Sequence, residues 1–150
     1  EGFEEKNIGI AHRKGTILPA ARHFLLDLAI KTNRTHLLFI DVDQSFPPHT
    51  IRKLLEWKKP VVACNIAVKR FPSTTTARTY APENDRGKLV FSLGNPRELQ
   101  EVWRVGCGVM LIDVEAVKKI PPPWFDTVWV PEVNDYRGED WYFCKKELPK

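Results

Sequence analysis

Three short segments of the chain consist entirely of apolar residues. They are residues 37–40, 61–64 and 109–112. Continuous apolar runs of this length are typical of strands that are buried on both faces, as in parallel sheets. The pattern therefore predicts that the three segments are neighbouring strands of one mostly parallel sheet.

Helical periodicity separates these runs. Pro19 lies near the start of a predicted helix that ends near Asn33, and Pro47 and Pro48 open a second helix. The buried face of the first helix is expected to carry Leu18, Ala21, Leu25, Leu28 and Ala29. A short strand at residues 8–11 would precede it, which gives the strand–helix alternation of an α/β sheet.

The pattern is less regular after the second apolar run. Residues 69–84 contain a Thr run and two prolines, which predict an irregular loop beside the sheet. Short strands, paired antiparallel, are expected at residues 89–91 and 101–103. Helices are expected at residues 114–120 and from Gly138 onward, with Trp141 and Cys144 facing inward.

Composition narrows the class of protein. The chain has 150 residues, 43% hydrophobic and 28% charged, which fits one globular domain. The net charge of +4 suits an anionic ligand, but no basic stripe with interleaved aromatics predicts a nucleic-acid partner. The three cysteines form no C-x-x-C motif, and no apolar run reaches the length of a transmembrane segment. A cytoplasmic protein with reduced thiols is expected.

Two carboxylates follow the first apolar run, at Asp41 and Asp43. Ligands of open α/β sheets bind beyond the carboxyl ends of strands, and two carboxylates there can hold Mg²⁺ or Mn²⁺. The cation in turn can hold a diphosphate. Acidic residues after a strand are also common in turns and at helix caps, so D-x-D alone leaves both interpretations open.

Glu139 and Asp140 form a second acidic site. Acidic residues at a helix N-terminus are stabilised by the exposed N–H groups, but a carboxylate that faces a cleft can also act as a general base. Arg22 lies at the edge of the buried face of the first helix. Its guanidinium either stays at the surface or binds phosphate and base oxygens in the cleft.

Three further groups have a structural and a functional interpretation. Gly106 and Gly108 permit either a tight bend or close approach of the backbone to a ligand. Lys69 and Arg70 lie either at the surface or against phosphates. Three tryptophans either pack in the core or form a flat surface on which a sugar can stack; they are Trp124, Trp129 and Trp141.

Taken together, these segments resemble a GT-A glycosyltransferase, most closely the family 2-like transferases of bacteria and their phages. The matching segments are residues 18–22, 37–43, 105–112 and 138–141, in the order of the family. The resemblance implies a GT-A, Rossmann-like, mostly parallel sheet with a small antiparallel element. It also implies that residues 1–150 form a single catalytic domain, truncated at both ends.

The resemblance also implies an activity. A nucleotide-diphosphate sugar would be the donor, a saccharide or another hydroxyl compound the acceptor, and transfer would proceed with inversion. Asp41 and Asp43 would hold Mn²⁺ or Mg²⁺, Arg22 would contact the nucleotide together with Gly106 and Gly108, and Asp140 would be the catalytic base with Glu139 beside it. The alternatives are a nucleotidyltransferase of related architecture and an inactive nucleotide- or glycan-binding module.

Overall fold

A computed structural model describes residues 7–15, 17–69, 71–80, 88–90 and 99–146. The helices within these ranges are α1 (Leu18–Lys31), α2 (Thr50–Glu56), α3 (Val114–Lys118) and α4 (Glu139–Cys144). The strands are β1 (His36–Ile40), β2 (Val61–Ala63), β3 (Arg78–Thr79), β4 (Lys88–Leu89), β5 (Val109–Asp113), β6 (Val128–Val130) and β7 (Asp135–Arg137). None of the helices in these ranges is long and apolar enough to span a membrane.

The three apolar segments do form one sheet, but its strands are antiparallel. Strand β5 lies between β1 and β2, and Leu111 is paired with Leu38 on one side and Val62 on the other. Both pairings are antiparallel, and β3–β4 and β6–β7 are further antiparallel pairs. The predicted mostly parallel, GT-A or Rossmann-like sheet is therefore wrong.

A backbone hydrogen bond at the start of β5 shows the direction of this strand relative to β1. The backbone N–H of Asp41, just past the end of β1, donates to the carbonyl of Gly108, just before β5. The amino end of β5 therefore lies beside the carboxyl end of β1. An apolar run predicts that both faces of a strand are covered, whatever its direction, so composition alone did not distinguish the two pairings.

Strand β5 is apolar throughout because its two faces enter two different clusters of the core. Met110 and Ile112 pack in a cluster with Leu26 of α1 and Phe143 of α4. The other two residues of its apolar run point to the opposite face, where α2 contributes Leu54. The edge strand β1 is less well covered, since Phe39 is buried but Ile40 is 46% exposed.

Helix α1 confirms the predicted element and corrects its buried face. The buried residues are Arg22, Leu26 and Ala29, whereas Leu18 is 47% exposed. The face is thus rotated by about one residue from the predicted stripe. An arginine therefore lies inside, where apolar periodicity alone would not put one.

The other sequence predictions have mixed outcomes. Residues 8–11 form no strand, and residues 101–103 take part in no strand either, although Arg104 bridges to Arg78. The described part of the 69–84 segment contains β3 and a bridge between Ala67 and Thr75, so it is more regular than predicted. Arg70, residues 81–87 and Phe91 lie outside the described residues. The β6–β7 hairpin was not predicted.

Candidate functional site

Arg22 joins two carboxylates that come from distant parts of the chain. Its Nη2 donates to Oδ1 of Asp41 at 2.9 Å and to Oδ2 at 3.2 Å, and its Nε donates to Oε1 of Glu139 at 3.2 Å. Its Nη1 is 3.5 Å from the backbone carbonyl of Cys107. These residues, Arg22, Asp41, Glu139 and the Cys107 carbonyl, are called the arginine cluster below.

The Arg22 guanidinium is contacted by Asp41, by Glu139 and by the ring of Phe39. The Arg22 side chain is only 5% exposed, and its guanidinium carbon lies 5.2 Å from the centre of the Phe39 ring. Burial by itself would lower the pKa of Arg22, but the negative groups that face it outweigh this effect and raise the pKa above its usual value. The guanidinium is thus a fixed positive charge that orients both carboxylates.

The two glycines before β5 are packed against side chains. A Cβ atom on Gly108 would lie 2.4 Å from Cδ1 of Ile66 and 3.5 Å from Oδ2 of Asp41. A Cβ on Gly106 would lie 3.0 Å from Cγ2 of Thr76. The backbone at these glycines does approach other groups closely, which is one of the two predicted roles, but those groups are side chains of the protein itself. Contact of these glycines with a nucleotide stays a prediction.

Asp43 is exposed, and its partners are residues outside the arginine cluster. It forms an ion pair with Lys69, and Nε2 of Gln44 donates to its Oδ1 at 2.9 Å. The hydrogen bond from Lys69, followed by that from Gln44, lowers the pKa of Asp43 below its usual value. Asp43, Gln44 and Lys69 line a pocket of about 440 Å³, called the Asp43 pocket, together with Ser45, Phe46, Pro47, Thr50, Cys64, Asn65, Ile66, Ala67 and Val109.

Glu139, rather than Asp140, binds Arg22, and Arg22 in turn binds Asp41 at the end of β1. Oδ1 of Asp140 accepts the backbone N–H of Trp141 at 2.6 Å, which is a local contact at the start of the helix. Asp140 is partly buried, and its charge contributes to the high pKa of Cys107. The two predicted acidic sites therefore share Arg22, which binds Asp41 of the first and Glu139 of the second.

A second concave region lies on the Glu139 side. It is a groove of about 740 Å³, called the Glu139 groove, lined by Ile17, Leu18, Pro19, Ala20, His23, Phe24, Pro123, Phe125, Asp126, Thr127 and Glu139. His23 stacks on Trp124, with 4.8 Å between the ring centres. Sequence reasoning missed His23 and Asp126, because no local motif marks them and only the tertiary fold brings them to this groove.

The cysteines beside the arginine cluster are not activated nucleophiles. Burial raises the pKa of Cys107 well above its usual range and that of Cys144 to about 11. Both thiols are therefore protonated at neutral pH, and a reactive cysteine requires the opposite shift. The three cysteines are free, and the pKa of Cys64 is also raised by burial.

The carboxylates fit a divalent cation only if a ligand completes the coordination shell. Among residues 7–15, 17–69, 71–80, 88–90 and 99–146, no three His, Cys, Asp or Glu side chains are grouped to hold a metal ion. Mg²⁺ usually keeps several waters and takes one or two carboxylates together with substrate phosphates. Asp43 is exposed enough for this, while Asp41 is already oriented by Arg22.

Comparison with known proteins does not assign the chain to a family. No protein-family model matches it. No curated protein and no solved structure gives a significant match either.

Proposed function

We propose that the chain is a metal-dependent glycosyltransferase that moves a sugar from a nucleotide-diphosphate donor to a hydroxyl acceptor, with inversion. The observation that carries the proposal is the arginine cluster, in which one buried guanidinium binds Asp41 and Glu139. Asp43, two residues after Asp41, lines one concave region, and Glu139 lines a second. Two substrates that must meet need such an arrangement.

The donor side is assigned to the Asp43 pocket. Asp43 and Asp41 are the proposed cation ligands, and a bound Mn²⁺ or Mg²⁺ would neutralise the departing diphosphate. Lys69 forms an ion pair with the Asp43 carboxylate, and its side chain is exposed. With a cation held by Asp43, the Lys69 ammonium group would be available to bind a phosphate oxygen.

The acceptor side is assigned to the Glu139 groove. Glu139 already accepts a hydrogen bond from Arg22. Its proposed role is therefore to position the acceptor, by accepting a hydrogen bond from an acceptor hydroxyl. Asp140 uses one oxygen for the N–H of Trp141, which leaves its second oxygen to remove the acceptor proton as the new bond forms. The acceptor oxygen then bonds to the sugar carbon, and the nucleoside diphosphate leaves.

Calorimetry with UDP and GDP, each with and without Mn²⁺, tests the donor site. We expect Mn²⁺ to strengthen binding of one nucleotide and Asp43→Asn to weaken it by at least about tenfold, the loss that even an outer-shell partner of a metal often causes. Asp27→Asn is the matched control, since Asp27 is an acidic residue on α1 paired only locally with Lys31. Equal affinities in the parent protein and Asp43→Asn would contradict the proposal.

A turnover assay with a panel of sugar donors tests the reaction. Release of the nucleoside diphosphate identifies glycosyl transfer, whereas a nucleotidyltransferase releases pyrophosphate. Asp140→Asn should keep donor binding and lose about 10²–10⁴-fold in rate, the usual contribution of a general base. Retained turnover together with lower stability would make Asp140 a structural residue of α4.

A further inference from the structure

The β6–β7 hairpin presents two aromatic rings to solvent. Trp129 is 47% exposed and Tyr136 is 63% exposed. The two residues are paired directly across the strands, so their side chains lie on the same face of the hairpin. Their ring centres are 5.1 Å apart and the ring planes meet at 69°. The pair, called the aromatic corner, therefore offers two angled apolar surfaces.

The opposite face of the hairpin is anchored to the protein. Arg137 is 9% exposed and Val128, its partner across the strands, is partly buried. Nη1 of Arg137 lies 3.4 Å from Oδ2 of Asp135, which ties the strand locally. One face thus holds the hairpin in place. The aromatic corner is therefore exposed on a hairpin whose position is fixed by its buried face.

Both ends of the hairpin adjoin the Glu139 groove. Thr127 lines the groove and directly precedes β6, while Glu139 lines the groove and follows β7 after Gly138. Glu139 is three positions after Tyr136, so their Cα atoms are at most about 11 Å apart even in a fully extended chain. The hairpin that carries the aromatic corner therefore adjoins, at both of its ends, the groove assigned to the acceptor.

We propose that the aromatic corner binds a pyranose ring of a saccharide acceptor, next to the sugar that enters the Glu139 groove. The C–H face of a pyranose is apolar and stacks on one ring, while the rim of the sugar meets the other ring. The exposed carboxylate of Glu132 lies in the connection between the two strands of the same hairpin and can accept hydrogen bonds from sugar hydroxyls. The role as an acceptor site rests on the proposed function.

The size of the surface favours one sugar ring over a protein partner. Two aromatic side chains that are each about half exposed offer roughly 200 Å². A stable protein–protein interface needs about 800 Å² from each partner. The angle of 69° between the rings also makes a corner rather than a flat strip, which suits one sugar ring better than an extended glycan chain.

Saccharide binding in the absence of any nucleotide tests this proposal. The probes are methyl glycosides and disaccharides of glucose, galactose, mannose and N-acetylglucosamine, followed by saturation-transfer NMR and by the chemical shift of the Trp129 indole N–H. We expect at least one probe to bind the parent protein and to shift that signal. Tyr136→Ala should weaken its binding by about tenfold, as loss of a central aromatic contact often does.

The chain offers a matched control. Tyr80 is 66% exposed and also packs edge-to-face on a tryptophan, with 5.7 Å between its ring centre and that of Trp103. Tyr80→Ala therefore removes a similar exposed ring from a different element, and it should change saccharide affinity by less than about twofold. Tyr136→Phe keeps the ring and should retain most of the affinity.

Several outcomes would overturn the proposal. They are the absence of binding by every probe, an equal effect of Tyr136→Ala and Tyr80→Ala, or a change of oligomeric state in Tyr136→Ala. The indole shift is read in the unsubstituted protein, so the test does not depend on a variant that folds. Binding of UDP or GDP with Mn²⁺ is measured separately. Saccharide binding without nucleotide binding would keep the aromatic corner and reject the transferase.

Discussion

Arg22 is the residue on which the proposed site most depends. Arg22→Met removes the positive charge shared by Asp41 and Glu139 and leaves both carboxylates without it. Breaking a fully buried ion pair costs about 3–5 kcal/mol, but the Asp41 side chain is 39% exposed. We therefore expect the free energy of unfolding to fall by about 2–3 kcal/mol in urea denaturation at pH 7.

A surface arginine provides the control for this experiment. Arg52 lies on α2 and is exposed, so Arg52→Met should change the free energy of unfolding by less than about 0.5 kcal/mol. Arg22→Lys keeps the charge but loses the forked donors, and it should fall between the parent and Arg22→Met. If Arg22→Met were as stable as Arg52→Met, the arginine cluster would not contribute to folding.

The pair of Asp43 and Lys69 should be visible in a pH titration. The hydrogen bonds from Lys69 and Gln44 lower the pKa of Asp43, so its carboxyl signal in NMR should titrate below the ordinary value of 3.8. A lowered pKa stabilises the folded state above that ordinary value, and the contribution is lost as the pH falls through the folded-state pKa. Lys69→Met should move the midpoint upward, whereas Lys59→Met should leave it unchanged.

At the scale of residues, local patterns identified the participants but not their contacts. Helical spacing placed Arg22 at the edge of the buried face, and the acidic residues stood out by their position after a strand or at a helix start. That Arg22 would bind Asp41 and Glu139 at once depends on how α1, β1 and α4 pack. No spacing within the sequence encodes such a convergence.

At the scale of elements, the backbone that leads into β5 is closely packed against side chains near the site. Gly108→Ala would bring a Cβ within 2.4 Å of Cδ1 of Ile66, so we expect it to cost about 1–3 kcal/mol of stability by overpacking. Ile66→Val removes that methyl group, and in its background Gly108→Ala should cost about 1 kcal/mol less. Thermal or urea denaturation of the four proteins completes the cycle.

Gly15→Ala is the control for the added methyl group, because a Cβ there would meet no atom of the described residues within 4 Å. It should change stability by less than about 0.5 kcal/mol. Strictly additive costs of Gly108→Ala and Ile66→Val would mean that the clash is relieved by movement of the backbone instead.

Periodicity and apolar runs predicted elements better than they predicted pairings. The helices α1 and α2 and the three sheet strands occur close to their expected positions. Strand direction was wrong, because an apolar run reports only that both faces are covered. The β6–β7 hairpin was missed because each of its strands is only three residues long.

At the scale of the whole molecule, the buried thiols predict a loss of stability at alkaline pH. Burial raises the pKa of Cys144 to about 11 in the folded state and raises that of Cys107 well above its usual value. The unfolded chain releases these protons first, so the free energy of unfolding falls as the pH rises above about 9. The slope contributed by each thiol is at most about 1.4 kcal/mol per pH unit.

The contribution of one thiol can be isolated by substitution. Cys144→Ala should make the decline between pH 9 and 11 shallower than in the parent protein, as followed by urea denaturation across that range. Lysine and tyrosine residues titrate in both proteins, so the difference in slope reports the thiol. Parallel declines would indicate that Cys144 ionises equally well in the folded and unfolded chain.

The position of β5 between β1 and β2 also sets an order of events during synthesis. Within the part of the chain that the structure describes, β1 and β2 pair in this sheet only with β5, so these backbone hydrogen bonds cannot form before residues 109–113 have left the ribosome. The apolar residues of β1 and β2 would lack their partner strand while the residues between β2 and β5 are synthesised. Such nascent chains are natural clients for chaperones that shield apolar segments until a late strand arrives.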